Sequence, residues 1–244
     1  GVANEPIDGS LADDPYTVGY FMNMAPAFVD RNHAYSDDAG NNLPVPAYLV
    51  GGEYIMSGND NRDNDPYVLD VTVSQDVDVF MLIDNRTNKD DGDNNGPPNI
   101  GPGTGAMEWI DATWEPVISA GNRRHDSSQP DEVPIDEGAD GDIEQYYSVY
   151  KKQFAAGTFQ LLQANNSGRN MYGVVVTEPQ ELLGPISIVN NGDGTVTLEW
   201  AGGGVLEVAT EITGPWQVLE GAESGTPIPM DPSETAVFAR VRQD

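Results

Sequence analysis

Between Tyr67 and Asn85 the chain alternates: Val71, Val73, Val77, Val79 and Met81 fall at odd positions, Asp70, Thr72, Ser74, Asp76 and Asp78 at even ones. Successive side chains of a β-strand point to opposite faces, so this period of two predicts two half-buried strands joined at Ser74-Gln75-Asp76. Further apolar stretches predict strands at 16–24, at 48–58 across a Gly-Gly break, and at 106–118, one strand or two. Residues 146–164 read as two strands turning at Ala156-Gly157, and 169–179 as a buried strand. The segments 87–105 and 122–142 are crowded with Gly, Pro, Asn and Asp and read as polar loops. Nothing before residue 180 repeats every 3.6 residues as a long helix does. The expected fold is all-β: a jelly-roll-like β-sandwich over 16–180, after a polar, Pro-bounded arm over 1–15.

Past residue 180 the strands become short and regular, at 186–189, 195–200, 205–210, 216–220 and 236–242. The stretch NNGDGT (190–195) marks a hairpin, because Asn and Gly accept positive φ. Residues 181–244 therefore read as a small β-sandwich domain. The formal charge is −21 over 1–180 (9 basic against 30 acidic residues) and −8 over 181–244 (2 against 10).

A net charge of −29 repels nucleic acid and anionic membrane surfaces, which excludes both as expected partners, and attracts cations. The 25 Asp outnumber the 15 Glu, and Lys occurs only at 89, 151 and 152. Such acidity suits a saline environment, where salt screens self-repulsion. With no Cys, neither disulfides nor thiolate chemistry is available. No stretch is long and apolar enough to span a bilayer. The start Gly1-Val2-Ala3 fits a secreted chain whose signal peptide has been removed, so an extracellular or cell-surface location is expected. Asn85-Arg86-Thr87 and Asn165-Asn166-Ser167 match the glycosylation sequon, a match that arises easily in so Asn-rich a chain.

Three acidic stretches carry the candidate metal chemistry. Ca²⁺ takes six to eight oxygens, and alternating Asp and Asn in a short loop can supply them. The candidate carboxylates are Asp60, Asp63 and Asp65 in NDNRDND, Asp91 and Asp93 in KDDGDNNG, and Asp136, Asp140 and Asp142 in DEGADGD. None has EF-hand spacing, so the signal is compositional, and solvated turns are the competing reading. The case for Ca²⁺ is repulsion: carboxylates held in one ordered loop need a cation or remain mobile. Trp109, Trp114 and Tyr146 are the candidate sugar platform, their competing reading being core aromatics. The basic cluster NRRHD (122–126) could grip an acidic partner or, more simply, this chain's own acids.

Catalytic patterns are missing. The two histidines, His33 and His125, are far apart, no G-x-S-x-G occurs, and 40 acids guarantee chance carboxylate pairs. The order YVLDVTVSQDVDVFMLIDNR, MEWIDATW, YSVYKKQFAAGTFQLL, NMYGVVVTEP resembles the jelly-roll modules of secreted bacterial polysaccharide-active and cell-surface proteins. The stretch VTLEWAGGGVLEVATEITGPWQVLEG is similar to the short fibronectin-like modules that end many of them. That resemblance implies adhesion, carbohydrate binding or assembly, with structural Ca²⁺. The leading expectation is a non-catalytic, Ca²⁺-stabilised structural or adhesive subunit that self-associates into an oligomer or filament. Val2, Ile7 and Leu11 of the arm could add a strand to a neighbouring sheet; a frayed tail is the alternative. The second expectation is a module that binds an extracellular polysaccharide, and the third a glycan-active enzyme.

Overall fold

A computed structural model of the chain describes residues 16–63, 66–89, 92–119, 122–124, 128–138, 140–165, 168–179, 186–200, 204–211, 215–229 and 237–242. The arm over 1–15, with Val2, Ile7 and Leu11, lies outside them. Among the described residues the chain is all-β, its one helical turn being a 3₁₀ helix over Asn59–Asp63. It divides into two units, Gly1–Gln180 and Glu181–Asp244.

The larger unit contains β1 (Thr17–Tyr20), β2 (Ala25–Pro26), β3 (Ala34–Tyr35), β4 (Glu53–Met56), β5 (Val68–Val73), β6 (Val77–Asp84), β7 (Glu115–Pro116), β8 (Glu132–Asp136), β9 (Gln145–Phe154), β10 (Gly157–Leu162) and β11 (Gly173–Thr177). Nine of these form one antiparallel sheet in the order β1-β4-β11-β6-β9-β8-β3-β2, with β7 also paired to β9. The remaining two, β5 and β10, form a separate two-stranded sheet. The result is a sandwich of very unequal layers.

One long ribbon links those layers. The register runs Val68↔Leu162 to Val73↔Gly157 in the small sheet and resumes at Val77↔Phe154 in the large one. Both strands turn at the same place, over 74–76 and 155–156. Gly157 takes φ +139° there, and the Asp76 carboxylate accepts the Ala156 N–H at 3.0 Å. The two strands read from the alternation are thus both present, yet they belong to different sheets and do not pair with each other.

The alternation also means different things on either side of that corner. On β5, Leu69 and Val71 are buried while Asp70 and Thr72 point outward. On β6 all eight residues are buried, because both faces of the large sheet are covered. Tyr48 packs its ring 5.4 Å from Phe80, on the face that the sequence pattern would leave in water. Asp78 and Asp84 of that face are buried with cations, Lys151 Nζ at 2.7 Å and Arg86 Nη2 at 2.6 Å.

A cluster of aromatics packs the same covered face: Phe21, Tyr35 and Tyr54 meet at 4.8–5.6 Å, and Tyr147 stands edge-on to Tyr35 at 6.3 Å. Gly173 on β11 makes room for it, since a Cβ there would overlap the Tyr35 hydroxyl. The expected strand over 106–118 reduces to β7, the rest being irregular chain. The expected loop over 122–142 contains β8, wholly buried.

The smaller unit has two three-stranded sheets. One is β12 (Ser187–Asn190), β13 (Thr195–Glu199) and β16 (Pro227–Pro229); the other is β15 (Gln217–Val218), β14 (Val205–Ala209) and β17 (Phe238–Arg242). β12 and β13 form the hairpin that NNGDGT predicts, with Gly192 and Gly194 at φ +77° and +89°. Asp193 ties the turn by accepting the Thr195 N–H and hydroxyl, which holds its carboxyl below the usual range.

Gly173→Ala is expected to lower the stability of the larger unit by about 2 kcal/mol, the usual cost of overpacking a core. Adding Tyr35→Phe, which deletes the overlapping oxygen, should restore part of that loss. Urea unfolding of the two variants measures both effects.

Candidate functional site

The larger unit offers two ends. At one, β4, β6 and β8 finish and β9 and β11 begin, so the sequence's three acidic stretches converge there. The 3₁₀ helix is capped by Asp30, whose carboxylate accepts the N–H groups of Asn59 (2.7 Å) and Asp60 (3.1 Å). Asn59 is buried and reaches across to Asn170 (3.1 Å) and the Met171 N–H (2.8 Å). Asn170 in turn donates to Glu137 at 2.9 Å. Arg86 holds Asp84 and lies 3.5 Å from Glu137.

The predicted metal ligands fall as follows. Asp60 is ion-paired with Arg31 and with Arg62 at 3.0 Å, and Asp63 with Arg62 at 3.4 Å. Asp136 is buried and accepts the N–H groups of Gly138 (3.0 Å), Asp140 (3.2 Å) and Gly141 (2.8 Å). Asp140 accepts the Asp142 N–H at 3.1 Å, and Asp93 the Asn95 N–H at 2.8 Å. Asp65 and Asp91 lie outside the described residues. Among the described residues no three His, Cys, Asp or Glu side chains gather into a metal-holding group. Repulsion at Asp60 and Asp136 is thus relieved by arginines and backbone N–H groups.

The basic cluster serves the chain's own acids. Arg123 meets Asp131 at 3.0 Å and Arg124 meets Glu132 at 2.9 Å, all four groups being largely buried. Burial pushes Asp131 upward against hydrogen bonds from Ser119 and Tyr48. Arg124 also lies 3.2 Å over the ring of Tyr146. Asn85 of the first sequon is fully buried and donates to Glu132 at 2.8 Å, so the folded chain does not offer it for glycosylation.

The packing takes two of the three candidate sugar-platform residues into the core. Trp114 is 5% exposed and Tyr146 7%. Trp109 is half-buried, its indole N–H donating to the Gln163 carbonyl at 2.8 Å. Trp109, Trp114 and Tyr172 stand edge-to-face at 5.8–6.1 Å, and Lys152 lies 5.8 Å over Trp114. A platform needs an open ring face, which the buried Trp114 and Tyr146 do not offer.

At the opposite end lies a cleft of about 550 Å³, within the size range of small-ligand sites. It opens between the sheets, where two strands fail to cover nine. Its walls are Val50, Val73 and Val176, and its polar side chains are Glu53, Ser74, Gln75, Thr177 and Glu178. A narrower recess shares Glu53 and Val73 and is lined by Val18, Ile55 and Val71. Glu53 lies opposite Val176 in the β4–β11 register, and Gln75 donates to Glu178 at 3.2 Å. The Gly51-Gly52 break belongs here: a Cβ on Gly52 would press into Val175 and Thr177.

Sequence reasoning did not single out Glu53 or Glu178. The available signal was the Gly-Gly break facing the corner at 74–76, which brings backbone from both sheets to one place.

No family model matches the chain, and no curated protein matches it in sequence. Its fold is matched to a solved structure of a GH138 enzyme targeting pectin rhamnogalacturonan II, with a TM-score of 0.41 and 14% identity. The match covers 68% of this chain and 16% of that one. Similarity at that level carries no argument about activity. The matched protein is named as an enzyme, against the expectation of a non-catalytic chain, and that expectation is not carried further. Neither the fold nor this match supports the structural or adhesive subunit that led the sequence reading.

Tyr146 and Asp38 form a buried pair that couples stability to pH. The Tyr146 hydroxyl donates to Asp38, which also accepts the Asn41 side chain at 2.7 Å and backbone N–H at 3.1 Å. Burial raises the Asp38 carboxyl, but these hydrogen bonds prevail and hold it below the usual 3.8. A depressed carboxyl stabilises the fold above its unfolded value and loses that contribution as pH falls through the folded one. Burial, together with Asp38, pushes the Tyr146 phenol to about 12, so its contribution holds below pH 10 and disappears on the alkaline side. Tyr146→Phe is expected to cost about 2 kcal/mol at neutral pH and to move acid unfolding to higher pH. Circular dichroism against pH reads both changes.

Proposed function

We propose that the larger unit recognises a carbohydrate segment in the cleft between its two sheets. The cleft itself carries this reading: it combines apolar walls, which suit the C–H faces of a sugar, with carboxylate, amide and hydroxyl groups, which suit its hydroxyls. The acidity and low Lys content support a location outside the cell, in a saline medium. Whether the bound glycan is also cleaved is left to the same experiment.

Calorimetric titration against a panel of neutral, amine-bearing and uronic oligosaccharides, with released reducing ends measured in parallel, is the test. Glu178→Gln should weaken binding about tenfold, the scale of one charge-assisted hydrogen bond. Ser74→Trp, which fills the cleft, should abolish binding while the melting temperature holds. Binding that survives Ser74→Trp, or no binding to any oligosaccharide, overturns the reading.

Ca²⁺ enters the proposal as a stabiliser of the other end. Asp140 and Asp142 are exposed on the acidic loop after β8, at the end where the acidic stretches converge, and their carboxylate oxygens suit a hard cation. Millimolar Ca²⁺ is expected to raise the melting temperature by several degrees over a chelated sample, through preferential binding to the folded state. The rise should vanish in Asp140→Asn/Asp142→Asn. An unchanged melting temperature removes the ion from the account.

A further inference from the structure

We infer that the ligand of this cleft carries positive charge, an amine-bearing sugar in place of a neutral or uronic one; this rests on the carbohydrate reading above. Glu53 and Glu178 both line the cleft and both are exposed to it. Among the described residues no Lys, Arg or His lines either the cleft or the recess that continues it. The side chain that meets the Glu178 carboxylate there is the neutral amide of Gln75.

Six basic side chains of the larger unit, Arg31, Arg62, Arg86, Arg123, Arg124 and Lys151, are placed on Asp30, Asp60, Asp63, Asp78, Asp84, Asp131 and Glu132, at 3.4 Å or closer. In a chain with 11 basic residues against 40 acids, cations go to the acids that folding buries or crowds. Among the described residues the cleft pair receives none. A sugar ammonium held in the cleft would bring positive charge to Glu53 and Glu178 and donate N–H groups to carboxylates that can only accept. A uronate would add a third negative charge to a cleft that already holds Glu53 and Glu178 and meet repulsion.

The preference must come from the cleft and not from the whole acidic surface, and the experiment separates the two. Binding of a glucosamine tetramer, its N-acetylated form and a galacturonate tetramer is measured at low salt. The wild-type chain, Glu53→Gln/Glu178→Gln, and Glu108→Gln/Glu115→Gln are compared. The last pair removes the same charge from exposed glutamates that line neither the cleft nor the recess. The amine tetramer should bind about tenfold tighter than the N-acetylated one. That preference should disappear in Glu53→Gln/Glu178→Gln and persist in Glu108→Gln/Glu115→Gln. Equal binding of the amine and acetylated tetramers overturns this inference and leaves carbohydrate recognition standing. An equal loss in both double variants overturns it too, by assigning the effect to the general field. Failure of every tetramer to bind overturns the carbohydrate reading along with it.

Discussion

The paired corner at 74–76 and 155–156 governs the larger unit. One antiparallel ribbon is folded so that β6 and β9 stay central in a nine-stranded sheet while β5 and β10 turn over its face. Hydrogen bonds along the ribbon are satisfied on both sides of the fold, which makes the corner cheap in backbone terms. But two strands cannot cover nine. The uncovered remainder has to be closed by irregular chain, as over 106–117 with its tryptophans, or left open as the cleft. Both the buried aromatic row and the candidate site follow from that one inequality.

Electrostatics is the second constraint. A −29 chain has few cations to distribute, and burying a lone carboxylate is costly. The structure answers by local pairing: Arg86 lies two residues from Asp84, and Arg123 and Arg124 each lie eight residues from their partners Asp131 and Glu132. At Asp136, backbone N–H groups take the place of a cation among the described residues. An acidic surface whose self-repulsion salt screens, over a small set of neutralised buried acids, suits the saline medium proposed above.

How much of this was legible in the sequence depended on whether the signal was local. The alternation over 67–85, the buried run GVVVT and the NNGDGT hairpin are all short-range patterns, and all appear as strands and turns. That β5 leaves β6 for another sheet was not readable, because alternation says which face a side chain takes and nothing of which strand it pairs with. β8 was masked by its own polar residues. Val133 and Ile135 alternate correctly, but Glu132, Pro134 and Asp136 between them read as loop until Arg124 and the backbone N–H groups are seen to neutralise the acids. The acidic stretches were legible as a group, and they do converge on one end. Their ligands were not, since a carboxylate satisfied by an arginine looks the same in sequence as one awaiting an ion. Glu53 and Glu178 lie 125 positions apart, and only the β4–β11 pairing brings them to one cleft.

The central claim is that the open end of the sandwich is where a ligand is held. Backbone amide shifts on titration with a cleft-binding oligosaccharide test it most directly, because they report position without depending on affinity. The expected result is that shifts concentrate at Gly51, Gly52, Ser74, Gln75 and Thr177, with 137–142 and the tryptophan-bearing stretch 109–114 unchanged. Shifts centred on Trp109, Trp114 or the acidic loops, with the corner silent, would contradict it.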